Sequence, residues 1–130
     1  MPKEPRRTGI VDGKFYQCPK KPICVSTQAS EDDEKHYISP IKLTTSVEEA
    51  MSKIISIINT LNRTKILDKS DNYLRVQFTT ALFRFKDDVE FYIDEKEKLI
   101  HFRSQSRIGG YDWNANRNRM EDFRTRYKEL

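Results

Sequence analysis

The strongest constraint on the fold is a mirror in the C-terminal half of the chain. In DVEFYIDEKEKLIHFRSQS, a tight turn around Lys96-Glu97 folds the segment on itself, with Phe91 opposite Phe102 and Ile93 opposite Ile100. The same register sets Glu90 against Arg103 and Tyr92 against His101 on the other face. A one-residue slip would destroy both matches, so the pattern predicts an antiparallel hairpin with one apolar and one polar face.

The neighbouring segments extend this sheet. A turn at Ser70-Asp71-Asn72 leads into YLRVQFTTALFRF, where Leu74, Val76, Phe78 and Leu82 alternate with Arg75, Gln77 and Thr79. Residues 65–68 and Cys24–Thr27 read as two further short strands. Between Ser46 and Leu61, Val47, Ala50, Met51, Ile54, Ile58 and Leu61 recur at helical spacing, and Ser46 with Glu49 forms a capping box. A last helix begins at Asn114 or Asn116, with Met120, Phe123 and Tyr127 along one stripe. The expected fold is α+β, an antiparallel sheet with two helices packed on one face. Pro2, Pro5, Pro19 and Pro22, with Gly9 and Gly13, make residues 1–22 an N-terminal arm lying across a single domain of residues 23–130.

At 130 residues the chain suits one core. Its mean hydropathy of -0.80 and 34% charged residues fit a soluble protein, and no apolar run is long enough to cross a bilayer. Residues 1–27 carry six Lys/Arg against two acids, residues 28–100 eleven against fourteen, and residues 101–130 seven against four. Basic ends flanking an acidic middle suit either a solvated surface with internal ion pairs or steering of an anionic partner. No apolar segment follows the first basic residues, so the sequence as it stands reads as cytoplasmic. Removal of a leader would make it extracytoplasmic, in periplasm or plastid lumen.

Candidate chemistry concentrates between residues 87 and 119. Asp87, Asp88, Glu90 and Arg103 suggest structural ion pairs, with Glu90 and Arg103 bonded directly. Arg103, Arg107, Asp112, Asn114, Asn116 and Arg117 surround the predicted start of the last helix, where unpaired backbone N–H groups favour an anion. Arg107 is expected to be the freer arginine, because no carboxylate lies opposite it except Asp87. Phe83, Phe85 and Tyr92 beside Arg75, Arg103 and Arg107 resemble a base-stacking face, but Asp88 and Glu90 would repel phosphates. Nucleic acid is therefore disfavoured, and Phe83 and Phe85 are expected to pack under a loop or the arm.

Cys18 and Cys24 do not match a CxxC motif. They are either a disulfide pinning the arm or, in a reducing compartment, two buried thiols. The run Glu31-Asp32-Asp33-Glu34 before His36 lacks the glycine and ligand spacing of a calcium loop, and reads as solvated. Neither a metal nor a cofactor is expected.

The order of CPKKPICVS, YLRVQFTT, FRFKDDVEF, RSQSRIGGYD and NANRNRM resembles the bacterial and plastid domain of unknown function 1499 family over nearly the whole chain. Ile23, Gly110 and Trp113 depart from that family's pattern. The resemblance implies a fold and a site region but no reaction. The residues themselves favour a non-catalytic domain binding a small anion at the Arg/Asn-rich end of the sheet. The alternatives are a small hydrolase or transferase using Glu90 or His101, and a structural or assembly protein acting through a protein partner.

Overall fold

The computed structural model describes residues 8–130. Its strands are β1 (Ile10–Val11), β2 (Lys14–Phe15), β3 (Cys24–Ser26), β4 (Ile41–Lys42), β5 (Thr64–Lys69), β6 (Tyr73–Thr79), β7 (Lys86–Asp94) and β8 (Leu99–Ser106). Its helices are α1 (Val47–Thr60) and α2 (Ala115–Glu129). The main sheet runs β3-β8-β7-β6-β5, all antiparallel, and β4 shares the outer edge of β8 with β3. The α+β expectation therefore holds.

The mirror register is present, with Phe91 opposite Phe102, Ile93 opposite Ile100 and Glu90 opposite Arg103. Apolar residues of one parity meet the helices: Leu74, Val76, Val89, Phe91, Ile93, Ile100 and Phe102 are buried against Ala50, Met51, Ile54, Ile57, Ile58, Met120, Phe123 and Tyr127. The Phe91 and Phe123 rings stand 4.8 Å apart. Each such side chain removed from water stabilises the fold by about 1.5–3 kcal/mol. Ser46 caps α1 by accepting the Glu49 N–H.

Alternation in β6 ends sooner than its sequence suggests. The strand stops at Thr79, and residues 80–85 form a loop whose base is closed by Thr80 N–H to Phe85 O, 2.8 Å, and Phe85 N–H to Thr80 Oγ1, 2.9 Å. Arg84 takes a left-handed φ of 58° within it. Leu82 is consequently not a core residue but 81% exposed. Among the described residues, Phe83 and Phe85 pack under neither loop nor arm: they stack on each other and are exposed.

The two-residue strands were not apparent from the sequence. β1 and β2 form a hairpin through Asp12-Gly13, both at positive φ, the turn chemistry that a two-residue hairpin requires.

Candidate functional site

The sheet divides the polar residues between its two faces. On the face away from the helices, Glu90 is fully buried. Its Oε1 accepts from Arg103 Nη1 at 3.0 Å, and its Oε2 accepts from Tyr73 Oη at 2.6 Å and from Gly9 N at 2.7 Å. Arg103 also donates to Gln105 Oε1 and to Gln17 O. Residues 9–17 thus cover this pair, with Phe15 edge-on to Tyr92. Burial lowers the Arg103 pKa against the opposing pull of Glu90, and raises that of the Tyr73 phenol with help from the same carboxylate.

Arg107 is not the unpaired arginine expected. It grips Asp88 through both Nε (2.9 Å) and Nη2 (2.8 Å), and this bond holds its pKa above the ordinary value. Asp88 lies diagonally rather than opposite, within reach of a long guanidinium. Arg75 continues the chain, 3.6 Å from Asp88 and 2.9 Å from Asp68.

The remaining residues lie on the helix side or at the start of α2. Asn116 is fully buried and donates to Ile23 O, Ser106 Oγ and Asp112 Oδ2, while its Oδ1 accepts from Ser104 Oγ and Arg119 Nη1. Arg119 reaches Asp87 at 2.6 Å. Asn114 occupies the cap position at φ 62° without a side-chain bond, and Asp112 performs the capping by accepting the N–H groups of Asn114 and Asn116. The helix N-terminus therefore already carries a carboxylate. Arg117 donates to the backbone oxygens of Glu34 and Lys35.

The two histidines are likewise engaged. His101 contacts Thr27 Oγ1 and Glu97, while His36 contacts Asp33 and Lys21 O. The His36 hydrogen bond holds Asp33 below the ordinary carboxylate range. Asp94, Glu97 and His101 bring ligand atoms within 4.8 Å of one another. Asp94 also accepts the Glu97 N–H, an ordinary turn-closing bond. Cys18 and Cys24 sit at disulfide distance, with their sulfurs 2.05 Å apart.

A different polar group is open. Where β5 begins, β6 ends and β7 begins, Arg63, Thr64, Lys65, Gln77, Thr79, Arg84 and Lys86 line a depression of about 420 Å³. Arg63 Nε donates to Thr79 O, and Lys86 lies 3.4 Å from Thr79 Oγ1. Among the described residues no carboxylate pairs with these four cations. Sequence reasoning passed over them because they belong to three separate segments; the available signal was the absence of any acid in residues 72–86, which covers Arg84 and Lys86 but not Arg63 and Lys65.

No curated protein matches the chain. A model of the family described as protein of unknown function (DUF1499) matches residues 14–126, so the chain belongs to that family.

Proposed function

We propose that the protein is a non-catalytic binding domain for a small anion, at the end of the sheet where β6, β7 and β8 meet their loops. The observation that carries this reading is the depression lined by Arg63, Lys65, Arg84 and Lys86, four cations without a carboxylate partner among the described residues. Unneutralised like charges in one concavity repel one another, and an anion relieves that repulsion. Arg107 stands at the same end and retains 33% side-chain exposure, so it adds to the field while bonded to Asp88. Arg103, Asp112, Asn116 and Arg117 are engaged by bonds within the protein, and none of them, nor Asn114, lines this depression.

The hydrolase or transferase reading has less support. Glu90 accepts three hydrogen bonds at zero exposure, and both ring nitrogens of His101 have partners, so neither group is poised to take a substrate proton.

Thermal unfolding with inorganic phosphate, sulfate and glycerol 3-phosphate tests the proposal. The melting temperature should rise with anion concentration, and the rise should vanish in the Arg84→Gln/Lys86→Gln variant. No rise, or a rise unaffected by the substitutions, would overturn it.

A further inference from the structure

The exposed apolar residues gather at the same end as the basic depression. Eight large hydrophobic residues are exposed in the described chain, and six of them, Leu82, Phe83, Phe85, Ile108, Tyr111 and Trp113, belong to only two loops. One loop joins β6 to β7 and the other joins β8 to α2. They leave adjacent strands at one end of the sheet, where Arg107 N–H donates to Lys86 O. Leu82 and Trp113 are 81% and 80% exposed, close to what a free side chain would show. Phe83 stacks on Phe85, and Tyr111 meets Trp113 edge to face at 4.6 Å, so each loop carries its own aromatic pair.

We infer that this end docks on an anionic phospholipid bilayer, with the two loop tips entering the interface and Arg63, Lys65, Arg84 and Lys86 meeting lipid phosphates. The cationic half of this inference rests on the anion-binding reading above, whereas the apolar half stands on exposure alone. Three features favour a bilayer over a protein. The apolar side chains project from loops, a shape that suits a fluid surface needing no complementary relief. Phe, Tyr and Trp are the side chains whose partly polar rings or flat apolar faces suit the headgroup boundary. The cations flank the tips, while Asp87 is committed to Arg119, Asp88 to Arg107, and Asp112 to the start of α2; exposed Glu34 lies beside the base of the second loop, next to Lys35 and Arg117. Lys20 and Lys21 add charge nearby, since Pro22 O accepts the Asp112 N–H. A positive rim around apolar tips complements a negative surface.

Docking does not require a spanning segment. Among the described residues no helix is long and apolar enough to cross a membrane.

Trp113 is the only tryptophan in the chain and makes the test direct. The full chain is mixed with vesicles of phosphatidylcholine alone or with phosphatidylglycerol added, and tryptophan emission and co-sedimentation are followed. The expected result is a blue shift with pelleting on the anionic vesicles and little of either on the neutral ones. Leu82→Ser/Phe83→Ser should weaken pelleting by at least about tenfold while keeping the thermal response to inorganic phosphate. Each cation removed should weaken it by about fivefold at low salt.

Failure to pellet on anionic vesicles, with the phosphate response intact, overturns bilayer docking and leaves the anion site standing. Equal pelleting on both vesicle types also overturns it. A blue shift without lipid, accompanied by a doubling of molecular mass as concentration rises, overturns it in favour of a second copy of this chain. Pelleting that depends on Leu82 and Phe83 without any phosphate response supports docking and removes the anion-site reading instead.

Discussion

Arg103 and Arg84 carry the same guanidinium in opposite settings. Arg103 is 2% exposed and surrounded by Glu90, Gln105 and the backbone of Gln17. Arg84 sits on a loop in solvent, and no carboxylate of the described residues pairs with it. Removing two charges from water is costly, and the first setting persists because Glu90, Gln105 and Gln17 take the Arg103 Nη donors, with only its Nε left without a partner among the described residues. The second costs little to maintain and leaves the charge available. Substitutions in the two regions should therefore read out in different assays, stability for one and binding for the other.

The largest effect is expected from Arg103→Gln, which strands the Glu90 carboxylate in a sealed layer and should lower unfolding free energy by about 3–5 kcal/mol in urea titrations. A loss of only a few tenths would mean that the layer is wet and that the contrast with Arg84 is false. Removing the Cys18–Cys24 bridge in a Cys18→Ser/Cys24→Ser variant should cost roughly 2 kcal/mol, and alkylation mass measurements on the native chain should find no free thiol until reductant is added. Because the bridge anchors the segment covering Arg103, the variant should also speed hydrogen exchange at Gly9 while leaving the tips unchanged.

Tyr73→Phe removes one donor to Glu90 and should cost about 1.5 kcal/mol near neutral pH. The sign of its pH dependence follows from the raised phenol pKa. The folded state favours the neutral form, so this contribution is fully present below the ordinary value of 10.0 and is lost as pH rises through the folded value. The native protein should thus weaken steadily above pH 10, and the variant less steeply over the same range. Smallest of all, Arg84→Gln and Phe83→Ser should each change stability by no more than about 0.5 kcal/mol, as exposed substitutions do. A larger loss at either would place the loops among the sealed parts of the molecule.

How much of this was legible in the sequence depended on the range over which the signal acts. The β7–β8 register was readable because a tight turn and four matched pairs coincide, and α1 because its stripe and cap agree. Strand parity correctly separated Arg103 and Arg107 from the core. It could not reveal that Arg107 would reach diagonally to Asp88, since side-chain length is not encoded in alternation. Nor could alternation show that β6 ends at Thr79: Leu82 keeps the parity of Leu74, Val76 and Phe78 across a loop that only the left-handed turn at Arg84 makes visible. Spacing alone makes the asparagines fit the cap of α2, while Asp112 does the bonding from two residues before the cap position. The open depression draws on β5, β6, β7 and the loops between them, and no local window contains it.

The sharing of one edge of β8 by β3 and β4 has a consequence for the order in which the chain assembles. β5 to β8 pair with their sequence neighbours, so each hairpin can form as soon as its second strand exists. β3 pairs with residues 103–105 and β4 with residues 99–100, partners that a ribosome produces long after residues 24–42 have emerged. During synthesis that early stretch has no sheet to join, and the buried Ile23, Val25, Ile38 and Ile41 remain uncovered until β8 is complete. The interval of greatest exposure to misassembly therefore precedes the last strand, and truncation before residue 99 would leave these apolar residues of the nascent chain unprotected.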